Sequence, residues 1–348
     1  MPDAKAAIFH GPGKAFSITD RALPASLADG EVLIAIDLAT ICGSDLHTVG
    51  GRRVEPTPCV LGHEGVGRIV AVGVRRADWR AGERVTWTLT DSCGACPACA
   101  DFDLPQKCAR LFKYGHAGLE DGTGLNGCYA SHIVLRTGTH LVRVPDSLSD
   151  AVAAPANCAL ATMVAATESL PRPCRLAVVQ GAGLLGLYGC ALLRAKGVPR
   201  VIVVDTEFKR LEWVAEFGGE PALGTATEHI RPGEADAVFE VAGTPAVVTE
   251  GVQLLRSGGF YAFVGMVHPE SALNITGEAV IRRCLTIRGF HNYAPRHLDA
   301  AIAFLSQQKE THPWAELVSP PRPLARLNEA FAEAESRRWH RVSVSPLG

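Results

Sequence analysis

The sequence predicts an α/β protein in two parts, a β-rich part with long loops and a doubly wound parallel sheet. Three observations carry that expectation. The first 150 or so residues read as short apolar runs broken by Gly and Pro. From Asn157 the texture changes to helical and strand-like segments in alternation, the rhythm of right-handed βαβ units. At 348 residues, the chain suits two cores better than one.

In order along the chain, EVLIAIDLA, GVGRIVAVGV, RVTWTLT, ASHIVLR and HLVRVP are the expected strands of the first part, and the loops between them hold most Cys and His residues. The second part opens on the helical segment ALATMVAATESL. It runs on through the buried-strand run RLAVVQ, the helix LLGLYGCALLRAKG, the strand RVIVVD and the helix KRLEWVAEFGG. ADAVFEVAG, GGFYAFVGM and LTIRGF extend the parallel sheet. The last 55 residues return to helix and loop before a closing strand, HRVSVSP. No repeat or low-complexity segment interrupts this order.

Composition narrows the function class. Hydrophobic residues make up 47% and charged residues 20%, and the formal net charge is -2. That balance gives no electrostatic reason to expect nucleic acid or an acidic membrane as partner. No apolar run reaches the length of a membrane span, and the start, MPDAKAAIFHGPGK, lacks the basic-then-apolar layout of an export signal, so a cytoplasmic protein is expected.

The segment QGAGLLG places Gly181, Gly183 and Gly186 between a strand and a helix expected to start at about Leu184. These glycines serve a tight turn, a close approach of backbone to pyrophosphate, and close packing of helix on strand. The helix N-terminus adds free N–H groups and partial positive charge. The next strand ends at Asp205, nineteen residues after Gly186, where a carboxylate accepts from ribose hydroxyls and repels a 2′-phosphate. NAD is therefore expected over NADP, with Arg210 one helical turn beyond the acid as the counter-indication.

Eleven cysteines without an export signal point to metal, because four crowd into CGACPACADFDLPQKC as Cys93, Cys96, Cys99 and Cys108. Four thiolates fit a tetrahedral zinc with no open position, a structural site, with an iron–sulfur cluster as the rival. A second set is more dispersed. Cys42 in CGSDLH, His63 and Glu64 in GHEGVGRIVAVG, and Cys158 in PANCALAT offer two thiolates and an imidazole. Three such ligands leave a fourth position open, as a catalytic zinc requires. Taken alone, His63 reads equally as a core histidine and Cys158 as a small buried hydrophobe.

What joins them is a resemblance. GHEGVGRIVAVG, with Gly67 and Gly73 in register, is similar to the zinc signature of the medium-chain zinc-dependent alcohol dehydrogenases. CGSDLH resembles that family's first-ligand motif, the four-cysteine run its structural zinc lobe, and GAGLLG with Asp205 its NAD site. The order and separations match along nearly the whole chain.

The resemblance implies a GroES-like catalytic domain over residues 1–155, completed by residues 291–348, and a Rossmann domain over 156–290, with the active site between them. It implies that Cys42, His63 and Cys158 bind the catalytic zinc with Glu64 behind it. Asp45 would hold the far nitrogen of His63, Ser44 would take the proton of the alcohol, and His47 would pass it on. Thr162 would touch the nicotinamide, and Arg341 would meet the pyrophosphate. Three departures stand out: the gap from Cys99 to Cys108 is one residue longer than usual, Gly43 replaces a phosphate-binding arginine of some members, and many relatives carry Glu where Cys158 stands.

For the substrate, the resemblance implies a small alcohol or carbonyl compound. GGRRVEP and LFKYGHAG border the expected entrance, and Arg52, Arg53, Lys113 and His116 would form a cationic rim for an anionic group. GRRVEPTPCVLGHE with LFKYGHAGLEDGTGLNGCYASHIVL also resembles the subgroup described as phosphonate-catabolism-associated alcohol dehydrogenases, which implies a hydroxyalkyl phosphonate. The alternatives are a polyol or threonine-type dehydrogenase and a non-catalytic zinc protein that senses NAD(H). A homodimer or homotetramer is expected, through pairing of Rossmann edges.

Overall fold

A computed structural model describes residues 3–267 and 271–346, in two compact units: residues 1–158 with 294–348, and residues 159–293. In the first unit, β1 (Ala4–Phe9) and β2 (Ser17–Arg21) pair antiparallel, Ala4 opposite Arg21. The sequence reading missed this hairpin, although KAAIF carries enough apolar weight to suggest its inner strand. β3 (Val32–Thr40) runs into helix α1 (Gly43–Val49), and the short β4 (Cys59–Val60) precedes β5 (Glu64–Val72). β6 (Arg84–Trp87) and β7 (Thr90–Asp91) divide the expected strand RVTWTLT. There follow α2 (Pro97–Ala100), β8 (Phe112–Lys113), β9 (His132–Leu135), β10 (Leu141–Arg143) and α3 (Asp150–Ala153).

The second unit has six parallel strands. α4 (Ala159–Glu168) leads to β11 (Leu176–Gln180), α5 (Leu184–Ala195), β12 (Arg200–Asp205), α6 (Phe208–Leu211) and β13 (Glu220–Leu223). β14 (Ala235–Glu240), α7 (Ala246–Leu254), β15 (Leu255–Phe263), α8 (Gly277–Arg282) and β16 (Thr286–Gly289) complete it. The spatial order is β13-β12-β11-β14-β15-β16, the doubly wound arrangement in which the sheet's first strand in sequence, β11, is central. Every residue of β11 and β14 is buried, which explains their uninterrupted apolar runs. The expected helix KRLEWVAEFGG is shorter than predicted. It stops at Leu211, resumes as a 3₁₀ turn over Ala215–Phe217 and ends at Gly218 with φ +80°. Only Leu211, Val214 and Phe217 point inward there, too few to hold a long helix against the sheet.

The chain then returns to the first unit with α9 (Pro295–Gln307), β17 (Arg322–Pro323), α10 (Leu327–Glu335) and β18 (Ser343–Ser345). β18 joins the main sheet of that unit beside β3, with Ser343 opposite Thr40, while β5 flanks the other edge of β3 with Glu64 opposite the same Thr40. Two register shifts bend the β3–β5 ladder. Gly67 is indispensable to it, because a Cβ there would lie 2.2 Å from the Ala35 carbonyl oxygen. The core beneath is built from Ile34, Ile36, Trp87, Tyr114, Tyr129 and Phe331. Among the described residues no helix is long and apolar enough to cross a membrane.

Candidate active site

The ends of two strands and one 3₁₀ turn assemble the first cluster. Cys42 follows β3 at the N-cap of α1, and His63 and Glu64 stand where β5 begins. Cys158 ends a 3₁₀ turn over Ala154–Asn157, whose Asn157 Nδ2 donates to the carbonyls of His63 (3.1 Å) and Trp87 (3.0 Å). One ligand atom each from Cys42, His63, Glu64 and Cys158 lies within 4.8 Å of the others. Gly62 turns the chain inward with φ +89°, and a Cβ on it would meet the Tyr129 ring at 2.9 Å.

Around this cluster the polar groups are closely engaged. Asp45 Oδ2 accepts from the Cys42 N–H (3.0 Å) and from the buried Tyr129 hydroxyl (2.9 Å), while its Oδ1 stands 3.5 Å from His63 Nδ1. Ser44 Oγ lies 3.5 Å from His63 Nε2, on the other side of the ring. Glu64 accepts from Thr40 Oγ1 at 2.6 Å and from Arg341 at 2.8 and 3.0 Å, and Arg341 also approaches Cys42 Sγ at 3.7 Å. Arg341, expected at the pyrophosphate, is buried with its guanidinium on Glu64.

The electrostatics fit a thiolate–imidazole site. The hydrogen bond from Cys158, with Arg341 and His63, holds the Cys42 thiol well below its usual range, and the same bond with burial pushes Cys158 well above. Burial opposes charge on His63, but Asp45 and Cys42 outweigh it and lift the imidazole to about 10. Burial raises Glu64 to about 7 against the pull of Arg341. The donor set, two sulfurs and an imidazole nitrogen gathered within the span of one ion, fits a zinc held by Cys42, His63 and Cys158. Glu64, already bonded to Arg341 and Thr40, fits the backing role.

The four-cysteine lobe meets the same test. The ligand atoms of Cys93, Cys96, Cys99 and Cys108 lie within 4.8 Å of one another, with Cys96 Sγ 3.5 Å from Cys99 Sγ and 3.9 Å from Cys108 Sγ. A tetrahedral zinc with bonds near 2.3 Å needs sulfurs about 3.8 Å apart. The gap from Cys99 to Cys108 contains a 3₁₀ turn over Pro105–Lys107, with Cys108 directly after it. Backbone N–H groups point at the sulfurs: Cys93 and Arg110 on Cys108 (3.2 and 3.3 Å), Ala109 on Cys96 (3.5 Å). The N–H of Ala95, with Arg110, brings Cys93 down to about 5, whereas burial and Cys96 push Cys99 up to about 12.

In the second unit, Gly181 has φ +115° and a Cβ on Gly186 would sit 1.9 Å from the Gly181 oxygen, so both positions exclude a side chain. Gly183, the N-cap of α5, has nothing within 4 Å of its would-be Cβ, which is the open cradle a pyrophosphate needs. Asp205 closes β12 and accepts from the N–H of Ala182 (2.8 Å) and Glu207 (2.9 Å), and Arg210 reaches it at 3.4 Å. Thr162 is buried on α4.

The expected cationic rim is only partly present. Arg52 is exposed, Arg53 is paired with Glu55 at 2.6 Å, and His116 is buried with Nδ1 on the same Glu55 oxygen at 2.8 Å. Lys113 on β8 has no carboxylate within 4 Å among the described residues, and desolvation with Arg53 lowers it to about 8. Sequence reasoning missed Glu55, Thr40, Tyr129 and Asn157. Glu55 alone left a signal, an acid set between Arg53 and Pro56 in a loop otherwise read for its cations.

Residues 28–146 match the alcohol dehydrogenase GroES-like domain, and residues 185–307 match the zinc-binding dehydrogenase domain. A sorbitol dehydrogenase of Halalkalibacterium halodurans is 27% identical over 97% of both chains. An L-threonine 3-dehydrogenase of Escherichia coli K12 is 28% identical over 79% of this chain and 80% of that one. Among solved structures, an alcohol dehydrogenase from Thermotoga maritima superposes with a TM-score of 0.90 at 29% identity, covering 99% of each chain.

Proposed function

Since the chain belongs to the medium-chain zinc-dependent alcohol dehydrogenases, we propose that it transfers hydride between an alcohol and NAD, with Cys42, His63 and Cys158 as the metal-holding set. When bound, the zinc supplies Lewis-acid polarisation of the substrate oxygen and the nicotinamide supplies the hydride acceptor. Everything else is the work of the chain. Ser44, one residue past Gly43 in the first turn of α1, takes the proton the alcohol loses, and His47 on the next turn delivers it outward. Asp45, braced by the Cys42 N–H and the Tyr129 hydroxyl, keeps the His63 ring in place. Gly181, Gly183 and Gly186 seat the pyrophosphate at the start of α5, Asp205 receives the ribose hydroxyls, and Thr162 lies against the nicotinamide. Cys93, Cys96, Cys99 and Cys108 hold a second, structural zinc.

The observation that carries this reading is the convergence of Cys42, His63 and Cys158 from three distant segments, with Ser44 at 3.5 Å from the histidine. A non-catalytic sensor has no use for that serine. Metal analysis of the purified protein, joined to a scan of primary and secondary alcohols, sugar alcohols and hydroxyalkyl phosphonates for NADH formation, tests it. About two zincs per chain and turnover of at least one alcohol are expected; NAD binding without hydride transfer to or from any member would leave a sensor.

The finer reading, an anionic substrate such as a hydroxyalkyl phosphonate, draws its support from Lys113, which unlike the exposed Arg52 is partly buried and yet has no carboxylate within 4 Å among the described residues. An oxoanion would supply that partner. A cytoplasmic location and assembly as a homodimer or homotetramer belong to the same proposal.

A further inference from the structure

The loop around Arg53 and the segment Lys113–His116 hold a polar arrangement that none of the catalytic roles uses. Glu55 Oε1 has two partners, Arg53 Nε at 2.6 Å and His116 Nδ1 at 2.8 Å. The His116 side chain is 4% exposed, and its ring lies beside that of His63, centroids 5.3 Å apart. Only glycine at 115 permits so close an approach: it has φ +73°, and a Cβ there would meet the Gly62 oxygen at 2.5 Å. With Nδ1 taken up by Glu55, His116 Nε2 is buried and has no hydrogen-bond partner among the described residues. Packing and the Glu55 contact explain the position of the ring and leave this nitrogen unexplained, although buried polar atoms are almost always satisfied.

We infer that Glu55 and His116 form a substrate-orienting pair, in which His116 Nε2 receives a second hydroxyl carried on the carbon next to the one oxidised. The inference rests on the dehydrogenase reading. A hydroxyl suits Nε2 because it both donates and accepts, so it pairs with the ring in either tautomer. Arg53 braces the far side of Glu55 and is a positioning residue, not a substrate contact. A mono-alcohol would leave Nε2 unmet, and a site built to bond a hydroxyl discriminates strongly against the analogue lacking one. The class of substrate is thus a vicinal diol, and the anionic group proposed for Lys113 is a further substituent on it rather than a replacement for the second hydroxyl.

The test compares 2,3-butanediol with 2-butanol, which differ by one hydroxyl. The ratio of their kcat/KM values is measured for the wild type, His116→Phe and Glu55→Gln, with zinc content measured on each protein. The wild type is expected to favour the diol, and His116→Phe to lower the ratio roughly 10- to 100-fold, mostly through KM, at unchanged zinc content. Glu55→Gln keeps the loop and lowers the ratio less. Calorimetric binding of the two compounds to the zinc-loaded protein runs alongside. Diol binding weakened by His116→Phe, with no NADH formed from any alcohol, would sink the dehydrogenase reading and keep the pair. Turnover of both alcohols at a ratio that neither substitution moves would overturn the pair and keep the reading.

Discussion

At the scale of single residues, Cys42 and His63 were legible through short motifs that resemble the family's, Cys42 with Asp45 and His47, His63 with Gly62 and Glu64, whereas Cys158 was placed by the resemblance alone. Their partners were not legible. Arg341 reaches Glu64 across 277 residues and Tyr129 reaches Asp45 across 84, and no local pattern announces either bond. Tyr129→Phe keeps the ring over Gly62 and removes only the hydroxyl. It should speed loss of the catalytic zinc to a chelator by roughly 10-fold while the structural zinc leaves at its former rate; equal rates for both sites would refute the bracing role. A pH effect follows from the same residues. In the metal-free protein His63 is lifted to about 10 and Cys158 stands well above its usual range, so both are protonated at pH 7 to 8. Both must shed that proton to bind zinc, whereas Cys42, held low, need not. Zinc uptake by this site should therefore release close to two protons and tighten as pH rises from 6.5 to 8.5. An indicator dye reads the release directly, and pH-independent affinity would contradict the assignment.

At the scale of elements, the parallel strands and α5 could be read because burial on both faces leaves a continuous apolar run, and because the glycine loop marks where strand passes to helix. α6 could not, since KRLEWVAEFGG has helical composition but only three inward side chains. Strand pairing was also beyond reach: the register that puts Glu64 and Ser343 on either side of Thr40 depends on two shifts in the β3–β5 ladder. The glycine loop offers the sharpest test at this scale. Gly186→Ala forces a methyl to 1.9 Å from the Gly181 oxygen, so the start of α5 must move. A cost of about 1–3 kcal/mol in stability is expected, together with at least a tenfold rise in the KM for NAD. An unchanged KM would show that the loop does not seat the cofactor.

At the scale of the whole molecule, the four-cysteine lobe is a closed site remote in sequence from the catalytic ligands. Its gap of nine positions between Cys99 and Cys108 looked irregular in the sequence, yet the Pro105–Lys107 turn brings the sulfurs to tetrahedral spacing. Cys108→Ser should reduce bound zinc from two per chain to one and shorten the half-life of activity on warming, with the initial rate less affected. Loss of both zincs, or no change in heat inactivation, would count against a separate supporting role.

Pairing of β18 with β3 has a further effect during synthesis. A ribosome that has made the first 158 residues has supplied every sulfur and the imidazole of the cluster, but Glu64 still lacks its cationic neighbour at 341. A nascent chain stalled before Arg341 emerges should capture metal poorly at Cys42 while already holding it at Cys93, so the order of loading is written into the threading of the polypeptide.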